Sequence, residues 1–232
     1  MILFDESHSE FCTISEVKKK RSYSVWKGSI NHDVTPLTSR KEFVTRLSQA
    51  QVMVIAEPHS YFALDETLAL IDFVCKGGSL LLIGNHHNTP RYYSYGCNEI
   101  LNVISSPFGM RFNDDGVVFS EENEEHVIQK FSEHIVCKGV ELLRYWRGCS
   151  ITLLRQKRKY IAEAVSFGSR HDVSEVYRKE PVVAALYEKN GKAFCLGDSS
   201  AWSDPGEEVE DDNFVFAKNV MEWALKGNLS RE

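Results

Sequence analysis

An α/β fold built on a mainly parallel sheet, with an antiparallel β extension in its second half, follows from three observations. The runs Ile2-Leu3-Phe4, Gln51 to Ala56 and Ser79 to Ile83 are apolar without alternation, which marks strands covered on both faces. Helical patterns lie between them, and a β-α-β order implies parallel neighbours joined by right-handed crossovers. From residue 140 onward the pattern changes to short strand-like stretches punctuated by turns, closed by one last helix.

Ile2-Leu3-Phe4 is followed by a polar turn, Asp5 to Ser9, and by a weak helical pattern that runs to Lys20. Ser22 to Trp26 reads as a second strand, and Ser39 is placed to cap a short helix through Leu47. Gln51 to Ala56 is the third strand. Ala63 to Cys75 is the strongest helical segment. Leu64, Leu68, Ile71 and Val74 repeat there at helical spacing, Asp65 and Glu66 suit the first turn, and Lys76-Gly77-Gly78 ends it. Ser79 to Ile83 is the fourth strand, and Glu99 to Ile104 a short helix with Ile100, Leu101 and Ile104 on one face. Further strands are expected at Gly116 to Phe119, Val140 to Trp146, Ser150 to Leu154, Tyr160 to Val165, Val182 to Tyr187 and Ala193 to Leu196. Glu188-Lys189-Asn190-Gly191 carries the Asn-Gly of a hairpin turn. Gly168 to Glu180 has little pattern and is expected as a loop. The last helix spans Asp212 to Leu225 and ends at Gly227.

The 232 residues are 43% hydrophobic and 26% charged, ordinary for a globular chain with enough material for a sizeable core. A net charge of −6 argues against nucleic acid or an anionic membrane as partner, because both require a concentrated basic surface. The local basic runs, Lys18 to Arg21 and Arg155 to Lys159, read as a solvated helix end and a solvated hairpin tip. The six cysteines, Cys12, Cys75, Cys97, Cys137, Cys149 and Cys195, form no Cys-x-x-Cys pair, and a reducing cytoplasm suits them. The first residues lack a basic leader and no apolar run approaches about 20 residues, so neither a signal peptide nor membrane insertion is expected.

Four stretches carry a resemblance to a known family: Ile2-Leu-Phe-Asp-Glu-Ser-His8; Val52 to Pro58 leading into Phe73 to Gly84; Phe108 to Asp115; and Leu196-Gly-Asp-Ser-Ser-Ala-Trp-Ser-Asp204 with the closing helix. In this order they resemble the domain shared by gliding-motility ABC transporter auxiliary proteins, the intraflagellar transport protein of the 52-kilodalton type and stand-alone prokaryotic members. The resemblance implies a class I glutamine amidotransferase-like domain over residues 1–232, a flavodoxin-like three-layer sandwich. Enzymes of that superfamily carry a nucleophilic cysteine on a sharp turn after a central strand. The matching turn here is Gly84-Asn85-His86-His87-Asn88, which has no cysteine. Without a thiolate or an activated hydroxyl there is no covalent glutaminase step.

Open parallel sheets bind ligands beyond the carboxyl ends of their strands. That rule selects Asp5, Glu6 and His8 after the first strand, and Glu57 and His59 after the third. It adds Asn85, His86, His87 and Asn88 after the fourth, and Asp198, Ser199 and Ser200 after a late strand. Histidines with carboxylates suit a divalent metal, with His8, His59, His86 and His87 as candidate ligands. His86 or His87 with Asp198 also suits general-base hydrolysis, with Ser199 or Ser200 as nucleophile, although neither serine lies in Gly-x-Ser-x-Gly. The same residues suit helix caps and loop cross-links, Asp5, Asp198 and Ser200 above all, or hydrogen bonding of a small polar ligand. Tyr92, Tyr93 and Tyr95 are placed to line a rim or pack a loop, Trp202 reads as a packing anchor, and the acidic run from Glu207 to Asp212 suits a helix N-terminus.

The expectation is a cytoplasmic, non-catalytic amidotransferase-like domain that binds a small polar ligand or a protein partner, with homo-oligomers left open. The resemblance links it to transport machinery. The alternative is a cytoplasmic hydrolase that uses the histidine–carboxylate cluster, with or without a divalent metal.

Overall fold

Alternate residues of the central strands face opposite ways, and this divides the core into two packed layers. The computed structural model describes residues 1–16, 22–86, 96–116, 127–146, 148–154, 162–167 (backbone alone), 181–204 and 212–226. In chain order the elements are β1 (Ile2–Asp5), α1 (Ser24–Ser29), β2 (Val34–Leu37), α2 (Phe43–Leu47), β3 (Val52–Ala56), α3 (Leu64–Cys75), β4 (Ser79–Ile83), α4 (Cys97–Ser105), β5 (Met110–Phe112), β6 (Val127–Ile128), β7 (Lys130–Phe131), β8 (Leu143–Arg144), β9 (Ile151–Leu153), β10 (Ala162–Phe167), β11 (Val182–Glu188), β12 (Lys192–Leu196) and α5 (Asp212–Leu225).

The main sheet runs β2-β1-β3-β4-β12-β11-β10-β7. Its first five strands are parallel, and β12, β11, β10 and β7 pair antiparallel in turn. On one face, Phe4, Val54, Leu81 and Phe194 pack under Trp26 of α1 and under Phe216, Val220 and Trp223 of α5. On the other, Leu3, Met53, Ile55, Leu82 and Cys195 pack under Phe43 of α2, Leu70 and Val74 of α3, and Leu101 and Ile104 of α4. The result is a three-layer, flavodoxin-like sandwich with an antiparallel extension. Among the described residues no helix is long and apolar enough to cross a membrane.

Several local expectations change. Ser22 to Trp26 is not a strand, because Ser24–Ser29 is helical. Tyr23 and Trp26 both pack on Phe4, with ring centroids 5.6 and 5.7 Å away, and a three-residue spacing reaches one face from a helix but opposite faces from a strand. Asp204 receives this helix start, accepting from Val25 N and Ser24 Oγ. Residues 11–16 are not helical, and 17–21 lie outside the described residues. Glu6 Oε1 takes the amides of Ile14 and Ser15 at 2.7 and 3.0 Å, which fixes an irregular loop. The second strand lies instead at Val34–Leu37, where the edge of the sheet tolerates Pro36.

The helix at 64–75 forms, but on another face. Leu64 and Leu68 are exposed, whereas Glu66, Thr67, Leu70 and Val74 are buried. Of the stretch 140–146 only Leu143–Arg144 is a strand, and it pairs with β6. Ile151–Leu153 pairs with β5, so neither extends the main sheet. The hairpin turn before Gly191 forms as expected, and Trp202 is a fully buried anchor stacked on Trp26 and Phe194. The expected strand at 117–119, the loop at 168–180, the acidic run up to 211, the helix stop at Gly227, and Tyr92, Tyr93 and Tyr95 lie outside the described residues.

Candidate functional site

Because β1, β3, β4 and β12 are adjacent and parallel, their carboxyl ends meet along one edge of the sheet. The polar side chains there divide into two neighbouring clusters.

The first cluster is built around Glu57, the residue that follows β3. Its backbone is left-handed, with φ 54°, a conformation that costs a non-glycine residue about 1 kcal/mol or more. Ser199 Oγ donates to Glu57 Oε2 at 2.7 Å, and Asn85 Nδ2 donates to Ser199 Oγ at 3.0 Å. The Cys12 thiol approaches the same carboxylate oxygen at 3.6 Å, and His59 Nε2 lies 3.8 Å from Glu57 Oε1. Asn98 on α4 sets the position of Asn85: its Oδ1 accepts from Asn85 N at 3.2 Å, and its Nδ2 donates to Asn85 O at 2.7 Å. Tyr23 Oη holds the other side by donating to Ser199 O at 2.6 Å. Gly84 leaves room for this assembly, since a Cβ there would stand 2.6 Å from Asn98 Oδ1.

The second cluster follows β1. His8 is fully buried, stacked on Phe62 with a centroid separation of 3.9 Å. Its Nδ1 lies 2.7 Å from Asp5 Oδ2 and its Nε2 lies 3.2 Å from Glu66 Oε2. Arg40 grips Glu66 through Nε at 3.0 Å and Nη2 at 2.8 Å, and Ala63 N donates to the same carboxylate. Burial pushes Glu66 up, but Arg40, the Ala63 amide and His8 outweigh it and hold the carboxyl down at about 2. Glu10 joins from the turn, where burial and the Asp5 carboxylate push it up to about 10. The backbone interlocks the two clusters: His59 N and Ser60 N donate to His8 O, and Phe11 N donates to Glu57 O.

The sequence candidates thus separate. Glu57, His59, Asn85 and Ser199 come together, and Asp5 and His8 meet Glu66 next door. Glu6 turns away to hold the loop at Ile14 and Ser15. Asp198 serves the backbone, accepting from Ser200 N and Trp146 N. Burial nevertheless pushes its carboxyl up to about 7. Ser200 gives its amide to that cap. His86 is half-buried with its amide on Asn85 Oδ1, and His87 and Asn88 lie outside the described residues. The Cys97 thiol is a poor nucleophile. Burial, and then the Glu57 carboxylate, push Cys97 well above the usual thiol range. Sequence reasoning missed Glu10, Arg40, Glu66 and Asn98. Only Glu10 left a legible signal, the Asp5-x-x-His8-x-Glu10 spacing; the others arrive from separate elements.

No family model matches this sequence, and no curated protein matches it. Solved structures do. The mmIFT52 N-terminal domain superposes with a TM-score of 0.75 at 18% identity, covering 99% of each chain. A cytoplasmic protein from Salmonella typhimurium LT2 gives 0.58 at 12% identity, over 96% of this chain and 98% of that one. A ThuA-like protein from Parabacteroides merdae gives 0.59 at 13% identity, over 97% and 89%. Likeness at these identities carries the fold alone, a flavodoxin-like α/β sandwich.

Proposed function

We propose that this chain is a non-catalytic member of the domain family shared by gliding-motility transporter auxiliary proteins and the intraflagellar transport protein of the 52-kilodalton type, and that it works by docking a protein partner on α3. One observation carries the reading. Leu64 and Leu68, one turn apart on α3, are 74% and 56% exposed. Val103 on α4 and Tyr61 beside it are exposed as well. Large apolar side chains grouped on one face mark an interaction surface. Asp65 and Glu99 give this face an acidic rim, while Asp72 is paired with Lys76 at 2.7 Å. In a chain of net charge −6 that rim repels a second copy and favours a partner helix with an apolar stripe flanked by lysine or arginine.

The test is crosslinking in cells with tagged wild type and a Leu64→Glu, Leu68→Glu double variant compared side by side. A protein crosslinked to α3 in wild type and lost from the equally folded variant supports the reading. An identical partner set from both variants overturns it, as does self-association through α3.

A second reading rests on the Ser199–Glu57 contact, since a hydroxyl donating to a carboxylate is the arrangement of a base-activated nucleophile. It makes the chain a serine hydrolase of the amidotransferase-like fold. A fluorophosphonate adduct on intact protein, absent in Ser199→Ala, supports it; unmodified wild type excludes it.

A further inference from the structure

Asp5, His8 and Glu10 stand on one short turn, and each aims a ligand-type atom inward. The Asp5 carboxylate, a His8 ring nitrogen and a Glu10 carboxylate oxygen all lie within 4.8 Å of one another. The side chains of His8 and Glu10 are completely buried, with Glu10 Oε1 3.9 Å from His8 Nδ1. Glu10 Oε2 accepts from His8 N, but Oε1 has no hydrogen-bond partner among the described residues. A buried acidic oxygen set against the Asp5 carboxylate with no donor beside it is costly unless a proton or a cation stands between the two. Ser7 Oγ adds a further oxygen, 3.1 Å from His8 Nδ1.

The far side of the imidazole supplies an independent indication. His8 Nε2 faces Glu66, which Arg40 and Ala63 N hold in place. A histidine that binds a metal through one nitrogen characteristically donates the other N–H to a carboxylate, which fixes the tautomer and the ring. With the hydrogen on Nε2, the Nδ1 lone pair faces Asp5 and Glu10, and three electron-rich atoms then converge on one point. The geometry points to a buried divalent-cation site formed by Asp5, His8 and Glu10, with Glu66 and Arg40 as positioning residues. One imidazole with carboxylate and hydroxyl oxygens suits a first-row ion such as Zn²⁺ or Mn²⁺. This site is separate from the α3 docking face and from the Ser199–Glu57 pair. Of the four histidines first considered as ligands it uses His8 alone, with carboxylates completing the set.

The experiment takes full-length, untagged protein, strips it with chelator and titrates it with ZnCl₂ and MnCl₂, following bound metal by mass spectrometry and melting temperature by calorimetry. One ion per chain and a raised melting temperature are expected. Glu10→Gln keeps the side-chain shape and is expected to weaken binding at least 100-fold, whereas Glu66→Gln weakens it 10- to 100-fold without abolishing it. The Co²⁺ form of wild type gives a readout that does not depend on any variant folding: a d–d spectrum of mixed nitrogen and oxygen coordination. Failure to bind any of the three ions, binding that Glu10→Gln leaves unchanged, or a Co²⁺ spectrum of water ligands alone would each overturn the proposal.

Discussion

At the turn after β12, Asp198 holds two peptide N–H groups and has no solvent around it, and burial raises its carboxyl to about 7. Below about pH 4 the group is protonated both folded and unfolded. Between about 4 and 7 the unfolded chain has released the proton that the native chain keeps, so native stability falls as pH rises, by up to about 1.4 kcal/mol per unit. Above 7 this contribution levels off. Asp198→Asn is expected to remove that slope, and the difference between the wild-type and variant melting curves from pH 4 to 8 isolates it from other groups. Asn98 makes a second test, because its side chain holds Asn85 N, Asn85 O and Asn113 O. Asn98→Ala is expected to cost about 2–4 kcal/mol in urea unfolding, since it strands buried backbone groups. Residues such as Glu57, Asn85 and Ser199 were legible in the sequence because they lie within three residues of strand ends. Glu66, Arg40 and Asn98 were not, because helix packing brings them in.

The helix at 64–75 shows what periodicity leaves open. Ala63 to Cys75 is apolar on more than one side, so a 3.6-residue repeat fits either the Leu64–Leu68 stripe or the Leu70–Val74 stripe. Burial of Glu66 beside His8 and Arg40 selects the second. Leu68→Lys is therefore expected to change stability by less than about 0.5 kcal/mol, and Leu70→Ala to lower it by about 2–5 kcal/mol, both read from denaturant midpoints. The end of β12 is equally constrained. A Cβ on Gly197 would stand 2.1 Å from the Cys149 carbonyl oxygen and 2.3 Å from Tyr145 Oη. Gly197→Ala is expected to cost at least about 1–3 kcal/mol by calorimetry, because backbone atoms must move.

Over the whole molecule, the parallel half was legible because its inner strands β1, β3 and β4 are apolar on both faces and join one another through local crossovers, with β12 arriving from far along the chain. In the second half the antiparallel extension and the turn before Gly191 were legible, whereas the pairs β5 with β9 and β6 with β8 were not, because strands of two or three residues carry too little pattern. Their exposure differs accordingly. Hydrogen exchange is expected to be slowest in β1, β3, β4 and β12 and to open first at β6 and β8, which have two residues each and a single neighbour. Slow exchange at β6 would contradict this ranking.

The position of β12 bears on how the chain is made. β4 finds its second neighbour only at Lys192–Leu196, which pairs residue 79 with residue 192. On a ribosome adding about 5–20 residues each second, the edge of β4 therefore waits roughly 6–20 seconds for its partner. Throughout that interval Leu80 to Ile83 present unpaired amides between two apolar faces, the kind of edge that recruits other strands. Chains truncated before residue 192 are therefore expected to aggregate where the full chain stays dispersed, which light scattering of the two would check.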